Sequence, residues 1–176
     1  MASSALVHSS FRLRRKEIVK SMSMPDEVIA LEESSAPAAA YEELRKRWEH
    51  GARSRKEALH LMFLAWDLLI EPAHLTGRDP ETRDEDLVAV FNDAHASVLP
   101  DGDLSTDAEA LYAVGLMANL APWLLGPLEE WEARSAAYRR RYRDVLGGPV
   151  TPDVFRSARG SYALYFRGQA AVGEGY

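Results

Sequence analysis

Residues 54–70 read SRKEALHLMFLAWDLLI. A serine followed three residues later by a glutamate, just ahead of an apolar run, marks the start of a helix. The hydroxyl accepts from the N–H of Glu57, and the carboxylate reaches back to the N–H of Ser54. The run from Leu61 to Ile70 is apolar nearly all round, which predicts a central, buried helix over 55–70. Pro72 ends or kinks it. Thr82–Glu85 and Thr106–Glu109 repeat the same spacing and predict two more starts. No convincing alternating strand pattern occurs anywhere, so the fold class read from the chain is all-α.

The neighbouring segments extend this reading. Pro25-Asp26-Glu27 has the proline and acids of a helical first turn, with the helix ending near Glu33. Ser34 to Pro37 is a linker. A helix over 38–50 carries Tyr41, Leu44 and Trp48 on one stripe and stops at Gly51. Residues 83–98 place Leu87, Val90, Phe91, Ala94 and Val98 on a single face. A helix over 107–121 enters an uncharged run from Ala110 to Leu128, which approaches a membrane span in length. Gly115, Asn119, Pro122, Gly126 and Pro127 interrupt that run, so two buried segments broken at the prolines are expected. Over 127–146, Leu128, Trp131, Ser135, Tyr138, Tyr142 and Val145 alternate by three and four, a seam for packing on another helix. Thr151-Pro152-Asp153 opens a last helix, with a break at Gly160 and an end towards Gln169. The expectation is one bundle or irregular array of about six or seven helices. The domain spans 25–170, between a flexible basic tail over 1–24 and a frayed end over 171–176. Helix pairs starting near 38, 82 and 127 have solenoid-like spacing, but their side chains do not repeat.

The chain has 176 residues, enough for a substantial core. It has no cysteine, which excludes disulfides, zinc–thiolate sites and cysteine nucleophiles, and fits a reducing, cytoplasmic setting. The net charge of −6 is unevenly spread. Residues 1–20 carry five basic groups against one acid, and residues 134–176 carry eight arginines against three acids. The middle therefore holds −15. Basic ends on an acidic body suit electrostatic contact with a partner, or contact of end with middle. The overall sign argues against a dedicated nucleic-acid binder. Residues 1–20 contain no apolar stretch of signal-peptide length, and read as a tail more than as a transit peptide.

Four constellations invite a chemical reading. Glu57-x-x-His60 and Glu71-x-x-His74 have the spacing of carboxylate–histidine metal ligands. Fourteen residues apart on one helix, they are separated by about 21 Å, so no shared metal centre is expected. Asp101 to Glu109 has a calcium-loop flavour, but Thr106 stands where glycine is needed and Tyr112 where glutamate is needed. Neither motif predicts a metal or cofactor. His60 and Asp67 share a face of the central helix, and with Trp66, Asn92 and His95 they form the candidate for a buried ligand or acid–base pocket. Arg139, Arg140 and Arg143, with Arg156, Arg159, Tyr162 and Tyr165 downstream, form the candidate partner-binding surface. The competing structural reading is a helix whose acidic start and basic end complement its dipole.

No phosphate loop, nucleophile elbow or zinc-helix motif is present. The functional expectation is therefore a non-catalytic adaptor, chaperone-like or regulatory protein with a protein partner, or a homodimer through helix 127–146. The rival expectation is a small-molecule-binding or enzymatic bundle around His60. A salt-dependent accessory to nucleic acid or membrane is a third.

Overall fold

In the computed structural model, residues 24–173 are described; the expected basic tail over 1–24 lies outside them except for Met24, which is buried, and so do the last three residues. Nine α-helices and two 3-10 turns follow in order, with no strand among the described residues. The helices are α1 (Asp26–Glu33), α2 (Pro37–Glu49), α3 (Arg55–Ile70), α4 (Ala73–Thr76), α5 (Asp84–Val98), α6 (Ala108–Leu120), α7 (Pro122–Leu125), α8 (Leu128–Leu146) and α9 (Gly160–Val172). The 3-10 turns are Gly102–Leu104 and Pro152–Phe155. The count exceeds six or seven because α4 and α7 are single-turn helices of four residues, each set off by a proline.

Of the three expected capping boxes, the first forms in altered shape. Ser54 Oγ accepts from Glu57 N at 3.2 Å, but the Glu57 carboxylate takes the serine hydroxyl at 2.8 Å instead of the backbone N–H. Its other oxygen accepts from Arg47 at 2.9 Å, which ties α3 to α2. The other two boxes are corrected. Helix α5 starts after Arg83 without a side-chain cap; Asp84, Glu85 and Asp86 set negative charge against the positive end of its dipole. Helix α6 is capped by Asp107, which accepts from Ala110 N at 3.1 Å, one residue later than Thr106. Arg55 explains the shift: its guanidinium grips Asp107 at 2.6 Å and Glu109 at 2.9 Å, fixing Asp107 at the helix start.

Helix α3 is buried almost all round, as its apolar run requires, and packs against α2, α5, α6 and α9. The seam of α8 rests on α6. Trp131, Ser135, Tyr138 and Tyr142 are buried, whereas Leu128 at the helix start is exposed. Ser135 Oγ donates to the carbonyl of Gly115 at 3.0 Å. The 110–128 run is two segments, α6 and α7, and among the described residues no helix is long and apolar enough to cross a membrane. Helix α1 folds onto α2 and α9, and α9 returns to α3. Phe63, Tyr112, Phe155, Tyr162 and Phe166 form one aromatic cluster at that junction. Phe91, His95, Trp131 and Tyr138 form another between α5 and α8. Each such fully buried large side chain contributes about 2 kcal/mol through removal of apolar surface from water.

Candidate functional site

The two residue sets singled out in the sequence meet different fates. His60 sits on α3 with its side chain 2% exposed, and its Nε2 lies 2.7 Å from Glu32 Oε1 of α1. Glu32 also accepts from the Ser161 hydroxyl and, at 3.4 Å, from the Ser161 N–H at the start of α9. The carboxylate therefore joins three helices. It stands between the serine and the histidine, so serine and histidine do not form a nucleophile–base pair. The neighbouring network is Arg55, Asp107, Glu109 and Tyr162, in which the tyrosine hydroxyl donates to Glu109 at 3.1 Å. Burial, and then the charge of Glu109, push the Tyr162 hydroxyl well above its ordinary pKa.

His95 belongs to another network. Its Nε2 meets the Tyr138 hydroxyl at 2.8 Å, and its ring packs on Trp131. Asn92 donates to the carbonyl of Leu125 at 3.4 Å. The expected pocket of His60, Trp66, Asp67, Asn92 and His95 is thus replaced by separate contacts. The histidine partners come from α1 and α8, whereas the sequence pattern grouped His60 and Asp67 of α3 with Asn92 and His95 of α5. Trp66 is buried against Phe63 and Tyr165, and its Nε1 has no hydrogen-bond partner among the described residues. No group of three or more acidic or histidine side chains is placed to hold a metal among the described residues. Asp107 and Ser105 of the calcium-like stretch serve the start of α6.

Asp67 and His95 respond to pH in opposite directions. Burial, then the charges of Glu71 and Glu32, raise the Asp67 carboxyl to about 6. Burial, then the charge of Arg134, lower His95 to about 4. A carboxyl with a raised folded pKa costs stability at neutral pH, and the cost fades as pH falls from 6 towards the unfolded value. A histidine with a lowered folded pKa contributes stability above its unfolded value, lost as pH falls towards 4. Asp67→Asn is therefore expected to raise stability at pH 7 by about 2 kcal/mol. That gain should vanish by about pH 4. Urea denaturation of variant and parent at both pH values checks the sign; equal gains at both would contradict it.

The partner-binding set divides as well. Arg139, Arg140 and Arg143 line one open groove of about 370 Å³ between α8 and the end of α6, together with Asn119, Pro122, Glu132, Ser135 and Ala136. Two neighbours of the groove in the chain are exposed and apolar: Leu120, after Asn119, and Trp123, after Pro122, which is 63% exposed. Arg141, in the same run, instead donates to the carbonyls of Ser105 and Leu104 and braces the 3-10 turn before α6. The four downstream residues do not line this groove. Arg156 is exposed. Arg159 pairs with Asp26 at 2.8 Å. Tyr165 is half-buried against Trp66 and Phe63. Tyr162 is corrected outright: it is 2% exposed, because the spacing of Tyr162, Ala163, Phe166 and Ala170 turns this face of α9 into the core. The seam of α8 that suggested a dimer is taken up within the chain by α6.

Sequence reasoning missed Glu32, Arg55 and Ser161. Their partners lie far away in the chain; of these partners the sequence pattern marks His60 as a candidate pocket residue and Glu109 as the acid of the Thr106 capping box.

Over the described residues the fold is all-α, and one of its surfaces carries a groove lined by three arginines. Comparison with protein-family models, with curated proteins and with solved structures finds no match.

Proposed function

We propose that this chain is a non-catalytic helical interaction protein, of adaptor, chaperone-like or regulatory type, working in the cytoplasm and binding an acidic segment of a protein partner. The observation that supports this reading most is the groove whose lining includes Arg139, Arg140 and Arg143 and one acidic residue, Glu132. Guanidinium groups suit bidentate pairing with carboxylates. Exposed Trp123 and Leu120 beside the groove supply the apolar anchor that charge pairs alone lack, and tryptophan and arginine are the side chains that most often dominate binding energy. The acidic groove around Glu42, Glu49, Asp79, Glu81 and Asp86 is a weaker candidate. Arg45 already bridges Glu42 and Glu49, and Arg83 pairs with Asp86.

Reversing the two exposed charges, Arg140→Glu with Arg143→Glu, is expected to weaken recovery of the partner in a pull-down by about a hundredfold. Unchanged recovery, with an unchanged melting profile, would contradict the proposal. The parent complex should also weaken steeply between low and high salt.

A further inference from the structure

The stretch 71–86 joins α3 to α5 and forms the first turn of α5. It carries Glu71, Asp79, Glu81, Asp84, Glu85 and Asp86, all exposed, against two arginines. Arg78 is turned inward onto the carbonyls of Leu68 and Thr82 and pairs with Asp84. Arg83 pairs with Asp86. The carboxylates of Glu81 and Glu85 make no ion pair or hydrogen bond among the described residues. Leu75, in the same stretch, is 63% exposed.

The arginine groove has the opposite character. Arg140 is exposed and makes no ion pair among the described residues, and Arg139 and Arg143 line the same groove. Exposed Trp123 follows its lining residue Pro122. Each surface therefore combines charge of one sign with a large apolar side chain held in solvent nearby in the chain. They do not reach one another within one copy. Phe91 meets Trp131 and, one turn on, His95 meets Tyr138, so α5 and α8 advance together along their contact. Asp84 to Asp86 lie before that contact, and Arg140 and Arg143 lie beyond it.

Resting on the reading of the groove as a site for an acidic segment, we propose that residues 79–86 of a second copy of this chain are such a segment. Glu81 and Glu85 of one copy pair with Arg140 and Arg143 of the next. The two surfaces differ, so the contact is head to tail and leaves one acidic stretch and one groove open at the ends of a row of copies. Exposed ion pairs are individually weak, so the association belongs to high protein concentration and low salt. A partner with an acidic segment must then compete with self-association for the groove, which makes the second copy a regulator of that site.

Sedimentation velocity of the full chain tests this. At about 100 µM protein and about 50 mM salt the parent is expected to exceed the mass of one chain, and to return to it at about 500 mM salt. Arg140→Ser with Arg143→Ser, and separately Glu81→Lys with Glu85→Lys, should each give single chains. Their equimolar mixture should form a pair that stops at two, because only one intact groove and one intact acidic stretch can meet. Glu81→Gln with Glu85→Gln replaces the lysine pair if that variant melts lower than the parent. A parent that stays a single chain, a variant that associates like the parent, or a mixture that stays apart would each overturn the proposal. Fluorescein-labelled octaglutamate separates this failure from that of the groove itself. If the peptide binds the parent but not the serine variant while the parent remains a single chain, self-association is overturned and the groove reading stands; if the peptide binds neither, both fall.

Discussion

Gly160→Ala is expected to destabilise the protein by about 4 kcal/mol. Two costs coincide there. Gly160 has φ +65°, in the left-handed region where a side chain costs about 1–2 kcal/mol. A Cβ at this position would also come within 2.1 Å of Glu32 Oε2 and 2.8 Å of Ile29 Cδ1. Either Glu32 leaves His60 and Ser161, or α9 lifts off α1. Gly147 is the control. Its φ is +66°, yet nothing lies within 4 Å of an added Cβ. Gly147→Ala should therefore pay only the backbone cost of about 1 kcal/mol. Thermal unfolding should separate the two by about 10 °C. Equal losses would mean that the close approach of α1, α3 and α9 at Gly160 is not tight.

The second large effect concerns Glu32. Glu32→Ala removes the acceptor shared by His60 and Ser161 and strands one buried and one half-buried donor, at a cost of about 3–5 kcal/mol. Glu32→Gln keeps one carbonyl oxygen of the right reach but sets an amide donor where donors already crowd, so about half that loss is expected. Equilibrium urea denaturation of both variants checks the order. A glutamine variant as unstable as the alanine one would show that the negative charge, rather than acceptor geometry, holds the junction. An alanine variant within about 0.5 kcal/mol of the parent would show that the junction is held by its aromatic neighbours alone.

The difference between what was legible in the chain and what was not follows from distance along it. Helix α3 is almost fully written in its own residues: Ser54 starts it, the run to Ile70 buries it, and Pro72 stops it. The seam of α8 was readable for the same reason, since its period of three and four is local. The caps at Thr82 and Thr106 misled because a matching spacing does not say which neighbour will compete. Arg55, more than fifty residues upstream, selects Asp107. His60 reads as a buried polar residue, but its partner is Glu32, 28 residues away in α1, rather than Asp67, two turns along α3. Gly160 carried a hint, as a glycine inside a helical pattern, but that hint reads as a break until Glu32 is seen against it. Of the arginine-rich C-terminal third, the helical spacing sorts Arg140 and Arg143 outward and Tyr142 inward, and the groove keeps that order. The groove's other wall comes from Asn119 and Pro122, which no local pattern ties to Arg139.

The central claim is that the groove lined by Arg140 and Arg143, with exposed Trp123 next in the chain to its lining residue Pro122, is where a partner binds. Site-specific photocrosslinking tests it most directly, with the crosslinking side chain placed in turn at position 123, at position 140 and, as control, at the exposed Leu164 of α9. The account predicts that positions 123 and 140 capture the same protein through an acidic segment, that capture fades in high salt, and that position 164 captures nothing comparable. Capture from position 164 alone, or at 123 and 140 of partners without an acidic segment, would contradict it.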